Sequence, residues 1–431
     1  MNDLFMGVSR EIISPKVGAL LYGYVPDLHS TKVADDLTAT AFYFKQGDKS
    51  ALMISLAVCQ INTDLSDEIR NLIEEKFKIP KENCILAAFH THSGPNVAGN
   101  EGWGDIDREY CSEIFIPGII SATGKAIEKA EKVTVGIAKG DSLVGVNRRE
   151  IRANNKIDFG QNPWGCFNPR MTVISFKNDE GNVVANIIHY GAHCTAAGRN
   201  TEISRDWAGV MVDSLEKESG GITAFFNGAE GDVGPRLSNG GTTGDMSHVK
   251  ETGEIAGRDA IRIFKEIKDF SAMELKASQT MIEIPLKKRL SKEAAKEMYE
   301  AYKHHTVNVW GMTRVHLEKV IASYEEGYED KEFIEIPQVV IGIGNVFFAS
   351  TPFEPFSEIG LRADKMAEDS DVLLLSNSNG AEGYFITEDA LCRGGYEVNM
   401  WLYKDIQPYA DNADWHLALK TAEHIKKVKE S

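Results

Sequence analysis

Two imidazoles stand two residues apart in His90-Thr91-His92-Ser93-Gly94-Pro95, directly after the apolar run Cys84-Ile85-Leu86-Ala87-Ala88-Phe89. The run is short, β-prone and uninterrupted, which predicts a buried strand over 84–90. With His90 and His92 in extended geometry, both side chains leave the same side of the backbone. Ser93-Gly94-Pro95 then ends the strand and opens a loop. Two imidazoles facing one loop mouth suit a divalent transition metal, most often zinc, bound by one histidine and assisted by the other. The alternative for an isolated His-x-His is a structural pair satisfied within the fold, so the rest of the chain has to decide.

The other candidate residues fall in similar places. His193, in Ile188-His189-Tyr190-Gly191-Ala192-His193-Cys194-Thr195, lies just beyond a second apolar strand. Glu354, in Ser350-Thr351-Pro352-Phe353-Glu354-Pro355, sits between a strand and a helix. Pro355 pushes Glu354 out of helical geometry and suits the first helical position itself. Tyr384 follows the strand at 371–376, in Asn379-Gly380-Ala381-Glu382-Gly383-Tyr384. Loops after apolar strands are where open α/β sheets place their sites. Gly94, Gly191, Gly380 and Gly383 beside these residues let backbone approach a ligand closely.

The elements that must position them alternate along the chain. Strands are predicted at 38–45 and 50–59, a helix over 65–78, the strand at 84–90, a helix near 109–130 and a strand near 133–139. Strands at 170–177 and 183–190 flank Asn178-Asp179-Glu180-Gly181, a hairpin turn. Ser204 caps a predicted helix that stops at Gly220-Gly221, before a strand at 222–226 and a helix over 247–268. Strands near 336–342, 345–350 and 371–376, a helix from Pro355 and a terminal helix from about 411 complete the pattern. This predicts an α/β fold, layered α-β-α with a mixed β-sheet, in one domain over 1–431, with a charged helical insertion at 289–330.

The 431 residues suffice for a sizeable core, and 47 basic against 64 acidic residues give a net charge of −17. That balance argues against nucleic acid or an anionic membrane as a partner. No apolar run approaches the roughly 18 residues of a membrane span, and the amino terminus lacks the pattern of a secretory signal. Six dispersed cysteines without a CxxC pair read as reduced, mostly buried thiols of a cytoplasmic protein.

Together these motifs resemble the catalytic domain of the neutral (non-lysosomal) ceramidases, zinc-dependent amide hydrolases. His90 to Pro95 resembles the family's His-Thr-His-Ser-Gly-Pro signature, and Thr351-Pro352-Phe353-Glu354 its glutamate-bearing turn. Ala381-Glu382-Gly383-Tyr384 resembles the segment carrying a tyrosine ligand, and Asn147-Arg148-Arg149 one whose arginine faces the substrate. The resemblance implies Zn²⁺ held by His90, His193, Glu354 and Tyr384, with Arg148 near the scissile carbonyl. His92 is then the candidate to carry a proton from metal-activated water to the leaving amine. It implies a small or amphiphilic N-acyl amide as substrate. It also implies that the family's C-terminal immunoglobulin-like domain is missing, since the chain ends soon after the last motif.

One segment departs from the family. In Gly231-Asp232-Val233-Gly234-Pro235-Arg236, glycine and arginine replace the family's serine and asparagine. Gly234 has no hydroxyl, so the serine proposed as a nucleophile in the family has no counterpart here. Two other readings are a zinc esterase or lactonase using the same water, and a degenerate homologue that binds without turnover.

Each assignment also has a structural alternative. His193 can be a buried histidine bonded to backbone, Glu354 a helix cap, Tyr384 a packed core ring, and Arg148 and Arg149 surface charges. Asp206 either supports the site or is a first-turn helix acid, and Asp232 serves the geometry of its Gly-rich loop. His304, His305 and His316 read as solvated residues of the charged region. Trp103, Trp164, Phe167 and Trp401 either line an apolar cleft or pack in the core and its rim.

Overall fold

The structure, a computed structural model, describes residues 2–100, 102–153, 155–304, 313–402 and 405–431. Three strand–helix–strand units form its frame. Lys49–Leu56 runs through the helix Thr63–Phe77 to Cys84–Ala88; Val183–Tyr190 through Asp206–Ser219 to Ile222–Asn227; and Val346–Ser350 through Ser357–Met366 to Asp371–Leu375. Within each unit the two strands pair in parallel, as a helical crossover permits.

The first two units close the ends of an eight-stranded mixed sheet. Its order is Ile222–Asn227, Val183–Tyr190, Arg170–Asn178, Glu131–Asp141, Phe5–Ile12, Thr38–Gln46, Lys49–Leu56 and Cys84–Ala88. The third unit belongs to a four-stranded sheet with Leu275–Pro285 and Phe333–Ile343. The predicted α/β fold with a mixed sheet is therefore present, with its β layer doubled. Alternation along Thr38–Gln46 shows how: Ala39, Ala41 and Tyr43 pack with the helices, while Phe42 and Phe44 turn to the second sheet. Phe226 bridges the layers, meeting Phe42 and Phe348 with ring centroids 6.1 Å away in each case. Each such fully buried side chain contributes about 1.5–3 kcal/mol of transfer free energy. On the far face of the smaller sheet, the helix Ala413–Glu430 buries Leu417 and Ile425 beside Ile359 and Phe347.

Local signals fall where expected. Gly220 takes the left-handed conformation (φ 79°) at the end of Asp206–Ser219, and Gly181 does so (φ 82°) in the hairpin turn after Asn178. Pro355 is a correction, because the helix starts at Ser357 and Glu354–Pro355 forms a two-residue strand paired in parallel with Tyr384–Phe385. In the charged region, Lys292–Tyr302 and Thr313–Ser323 are helices that pack around Ala295, Leu317 and Val320. His304 is exposed, but His316 is buried, because its helix turns that face onto the pair's own small core; His305 lies outside the described residues. Among the described residues no helix is long and apolar enough to cross a membrane. Cys59, Cys84, Cys111 and Cys194 are buried thiols, whereas Cys166 and Cys392 are exposed.

Candidate metal centre

The candidate residues sit past the carboxyl ends of the parallel strands. His90 and His92 follow Ala88, His193 follows Tyr190, Glu354 follows Ser350, and Tyr384 lies beyond Leu375. Short ladders then stitch these loops together. Thr91 bridges Cys194, bringing the His-x-His turn against His193, and Glu354 pairs with Tyr384. The strand stops at Ala88, so the extended geometry expected of His90 is not present: its φ is 68°. A non-glycine residue held there costs about 1–3 kcal/mol. Backbone bonds from Phe89 N to Leu56 O (2.7 Å) and His90 N to Val58 O (3.0 Å) hold the turn. The two imidazoles still meet, with Nε2 atoms 3.1 Å apart and rings nearly perpendicular.

All three histidines are tied through Nδ1 to backbone carbonyls: His90 to Cys59 O at 2.9 Å, His92 to Gly23 O at 2.9 Å, and His193 to Glu230 O at 3.0 Å. A carbonyl only accepts, so each Nδ1 carries the proton and each Nε2 is left with a lone pair. The Nε2 atoms of His90 and His193 lie 3.4 and 3.1 Å from Glu354 Oε2. His193 Nε2 and Glu354 Oε2 are buried without a hydrogen-bond partner, despite that short separation. Gln60 Nε2 donates to the other oxygen, Oε1, at 2.6 Å and fixes the carboxylate. His90, His193 and Glu354 thus offer ligand atoms all within 4.8 Å of one another. Two lone pairs and an oxyanion sharing one buried point fit a cation, and an N₂O donor set suits zinc.

The electrostatics agree. Burial disfavours a charged His90, yet Cys59, Glu230 and Glu354 around it raise its pKa well above the ordinary histidine value. Burial likewise opposes the charge of Glu354, but His90 and His193 hold it well below the usual carboxylate range. Both shifts show that the Glu354 carboxylate favours a positive charge at the point it shares with the imidazoles, which a proton or a cation would supply. His193 is pushed down to about 3 by burial and by Arg148 and His90, and His92 is lowered by burial and by the imidazoles of His90 and His193.

Tyr384 lies at the cleft wall with its ring stacked on His193. Its hydroxyl accepts from Arg148 Nη2 at 2.9 Å. Arg148, in the strand Gly145–Ile151, is buried behind Tyr384, and neither it nor Arg149 is a surface charge. Glu397 binds both, through Arg148 Nε at 3.0 Å and Arg149 Nη1 at 2.6 Å. Asp206 supports the site, its carboxylate accepting from Ala196, Ala197 and Trp207 backbone N–H groups and so clamping the loop after His193. Asp232 joins Asn147 to the amino end of the Ser357–Met366 helix. The cleft above the histidines encloses 260 Å³ and is walled by Tyr22, Trp103, Tyr396 and Met400. Trp103 therefore lines it, while Trp164 is exposed, Trp401 is core and Phe167 packs against the larger core.

Comparison with known proteins matches residues 5–310 to the model of the neutral/alkaline non-lysosomal ceramidase N-terminal region. The chain belongs to this family. Its relatives include neutral ceramidase B of Dictyostelium discoideum, 25% identical over 219 residues, covering 46% of this chain and 30% of that protein. The neutral ceramidase of Pseudomonas aeruginosa is 23% identical over 237 residues, 48% of this chain and 35% of its own length. The matched stretch thus spans about a third of each of these relatives. A solved structure of the Pseudomonas aeruginosa neutral ceramidase superposes with a TM-score of 0.77 at 16% identity, covering 100% of this chain and 75% of that one. A structure described as ceramidase complexed with C2 gives 0.74 at 16% identity, covering 99% and 75%. At such identity the likeness speaks for the fold.

Within this ceramidase-family centre, several residues escaped the sequence reading. Cys59 and Gln60 follow Lys49–Leu56, Glu230 follows Ile222–Asn227, and Asn377 follows Asp371–Leu375. The strand-end rule that found His193 would have found them. Glu230 is fully buried, accepts from Ser376 Oγ and Asn377 Nδ2 at 2.7 Å each, and is pushed up to about 7 by burial. Glu397 carries no local signal; only its contact with both arginines marks it.

Proposed function

We propose that this chain is a zinc-dependent hydrolase of the neutral ceramidase type, cleaving the amide bond of an N-acyl substrate with metal-activated water. The observation that carries the reading is the convergence of His90 Nε2, His193 Nε2 and Glu354 Oε2 on one buried point under the cleft. His90, His193 and Glu354 would hold the ion, with Tyr384 as fourth donor. A zinc ion there supplies Lewis-acid polarisation of a carbonyl and acidifies water.

The chain's own groups do the rest. His92 lines the cleft with Nδ1 committed to Gly23 O, so Nε2 is its basic face. Burial and the neighbouring imidazoles lower its pKa, so it starts neutral and, once protonated, gives the proton up readily to a leaving amine. Gly23 makes this approach possible: its φ is 121°, and a Cβ there would lie 2.6 Å from the His92 ring. Burial raises the Tyr384 phenol well above its ordinary value and Arg148 opposes that rise in part, so ionisation to a ligating form would need the charge of the ion itself. Gln60 orients the Glu354 carboxylate.

The test is release of amine from a panel of N-acyl substrates by metal-loaded protein, with matched esters in parallel. Amine release that disappears in Glu354→Gln supports the reading. Ester cleavage alone would assign an esterase instead, and a stoichiometric metal with no turnover of either panel would leave a binding protein.

A further inference from the structure

A second cavity, of 470 Å³, adjoins the metal cleft and shares Tyr396 and Met400 with it. Arg148 lines this second space, while its hydrogen-bond partner Tyr384 lines the first. Arg148 and Arg149 are only 5% and 7% exposed, and one buried carboxylate, Glu397, serves both. Two guanidiniums against one carboxylate leave a buried positive charge unmatched, which is costly in a low-dielectric interior. Ionising Tyr384 does not cancel it, because Tyr384 and Glu354 would together balance a divalent metal. Lys156, Arg393 and Asp158 stand at the rim, where Arg393 lies 3.3 Å from Asp389 and Asp158 3.9 Å from Arg152, and Glu397 itself lines the cavity beside the two arginines. The surplus therefore resides chiefly on the buried arginines, in a protein whose overall charge is −17. Phe159 and Phe356, with centroids 5.1 and 5.3 Å from Arg148 and Arg149, hold the two guanidiniums in place.

We propose that the second cavity seats an oxyanion carried by the substrate, so that the preferred N-acyl amides bear a carboxylate or phosphate on the amine side rather than a neutral head. This rests on the hydrolase reading. Arginine suits the role because each guanidinium carries five N–H donors, of which Glu397 and Tyr384 take two from Arg148, and Glu397 and Gly394 O two from Arg149.

The experiment compares calorimetric binding of three sulfonamides to the metal-loaded full chain: the hexanesulfonamides of glycine, of ethanolamine phosphate and of ethanolamine. The sulfonamide bond is not cleaved, and only the head group differs. At least one anion is expected to bind ten or more times tighter than the neutral compound, and the preferred arm tells carboxylate from phosphate. Arg149→Gln is expected to remove that advantage and Arg149→Lys to restore part of it. Lys156→Gln, at the rim, is expected to reduce it several-fold, which keeps the test open should Arg149→Gln not fold. Equal binding of all three compounds, or an advantage that survives Arg149→Gln in folded protein, would overturn the proposal. Selective anion binding without amine release from the matching carboxamides would retain the anion site and remove the hydrolase reading; amine release with no anion preference would do the reverse.

Discussion

Glu354 and Tyr384 are register partners in a parallel ladder only two residues long, closed by Glu354 N donating to Gly383 O at 2.8 Å. The ladder places a carboxylate and a phenol from either side of the Ser357–Met366 helix and Asp371–Leu375 strand next to each other at the mouth of the cleft. Thr91 and Cys194 do the same for the histidines. The centre is thus built by backbone pairing between loops.

Metal binding is the expectation that the convergence of the donors raises. Purified protein is expected to hold about one zinc per chain, with binding lost in His193→Ala and Glu354→Gln, as read by elemental analysis. A site saturated at about 1,000 times its Kd adds about 4 kcal/mol to stability. Chelator should therefore lower the unfolding midpoint of the native protein and leave Glu354→Gln unchanged. Retention of stoichiometric zinc in both variants would refute the assignment.

His92 separates chemistry from binding. His92→Gln is expected to keep its metal and lower kcat about 10²–10⁴-fold, the usual contribution of a positioned acid–base group. Loss of metal in parallel with activity would make His92 a ligand instead.

Gly234 stands where a side chain would collide: a Cβ there would lie 2.7 Å from Thr242 Cβ. Gly234→Ser is expected to cost about 1–3 kcal/mol by overpacking. Adding Thr242→Gly, which removes the Cβ that the new side chain would strike, should recover most of that loss in denaturant unfolding, giving a coupling that additive single effects would not produce. Strict additivity would sink this account.

Asp232 supplies a pH test. Burial raises its carboxyl to about 7, above the unfolded value near 3.9. The native state then binds more protons than the unfolded chain between these values, so the contribution is full at low pH and fades as pH rises through about 7. The stability of native protein relative to Asp232→Asn is expected to fall between pH 4 and 7, with metal held equal. A difference that is flat, or that rises with pH, would count against a neutral Asp232.

Much of this organisation was legible in the residues. Apolar runs broken by Gly, Pro and Asn located the site-bearing parallel strands, because a buried strand writes its signal locally. His193, Glu354 and Tyr384 stood out as polar residues after such strands, and the family resemblance then marked them as candidate ligands. Phe5–Ile12 and Leu275–Pro285 went unread, since their mixed polar and apolar residues become strands only through their neighbours. Arg148 was read through its motif alone, being in mid-strand rather than at a strand end.

By itself the sequence determined which residues are candidate donors, the strand–helix–strand units and the strand ends on which those candidates sit, all of which depend on neighbouring residues. Only the tertiary structure decided that the β layer is double, that His90 turns at φ 68°, that backbone carbonyls hold each Nδ1, and that Arg148 and Arg149 share one carboxylate. The physical reason is distance along the chain: Glu397 lies 249 residues from Arg148, and Tyr384 lies 236 from it. Such pairings have no local pattern to read, because their energy exists only once the loops have been brought together.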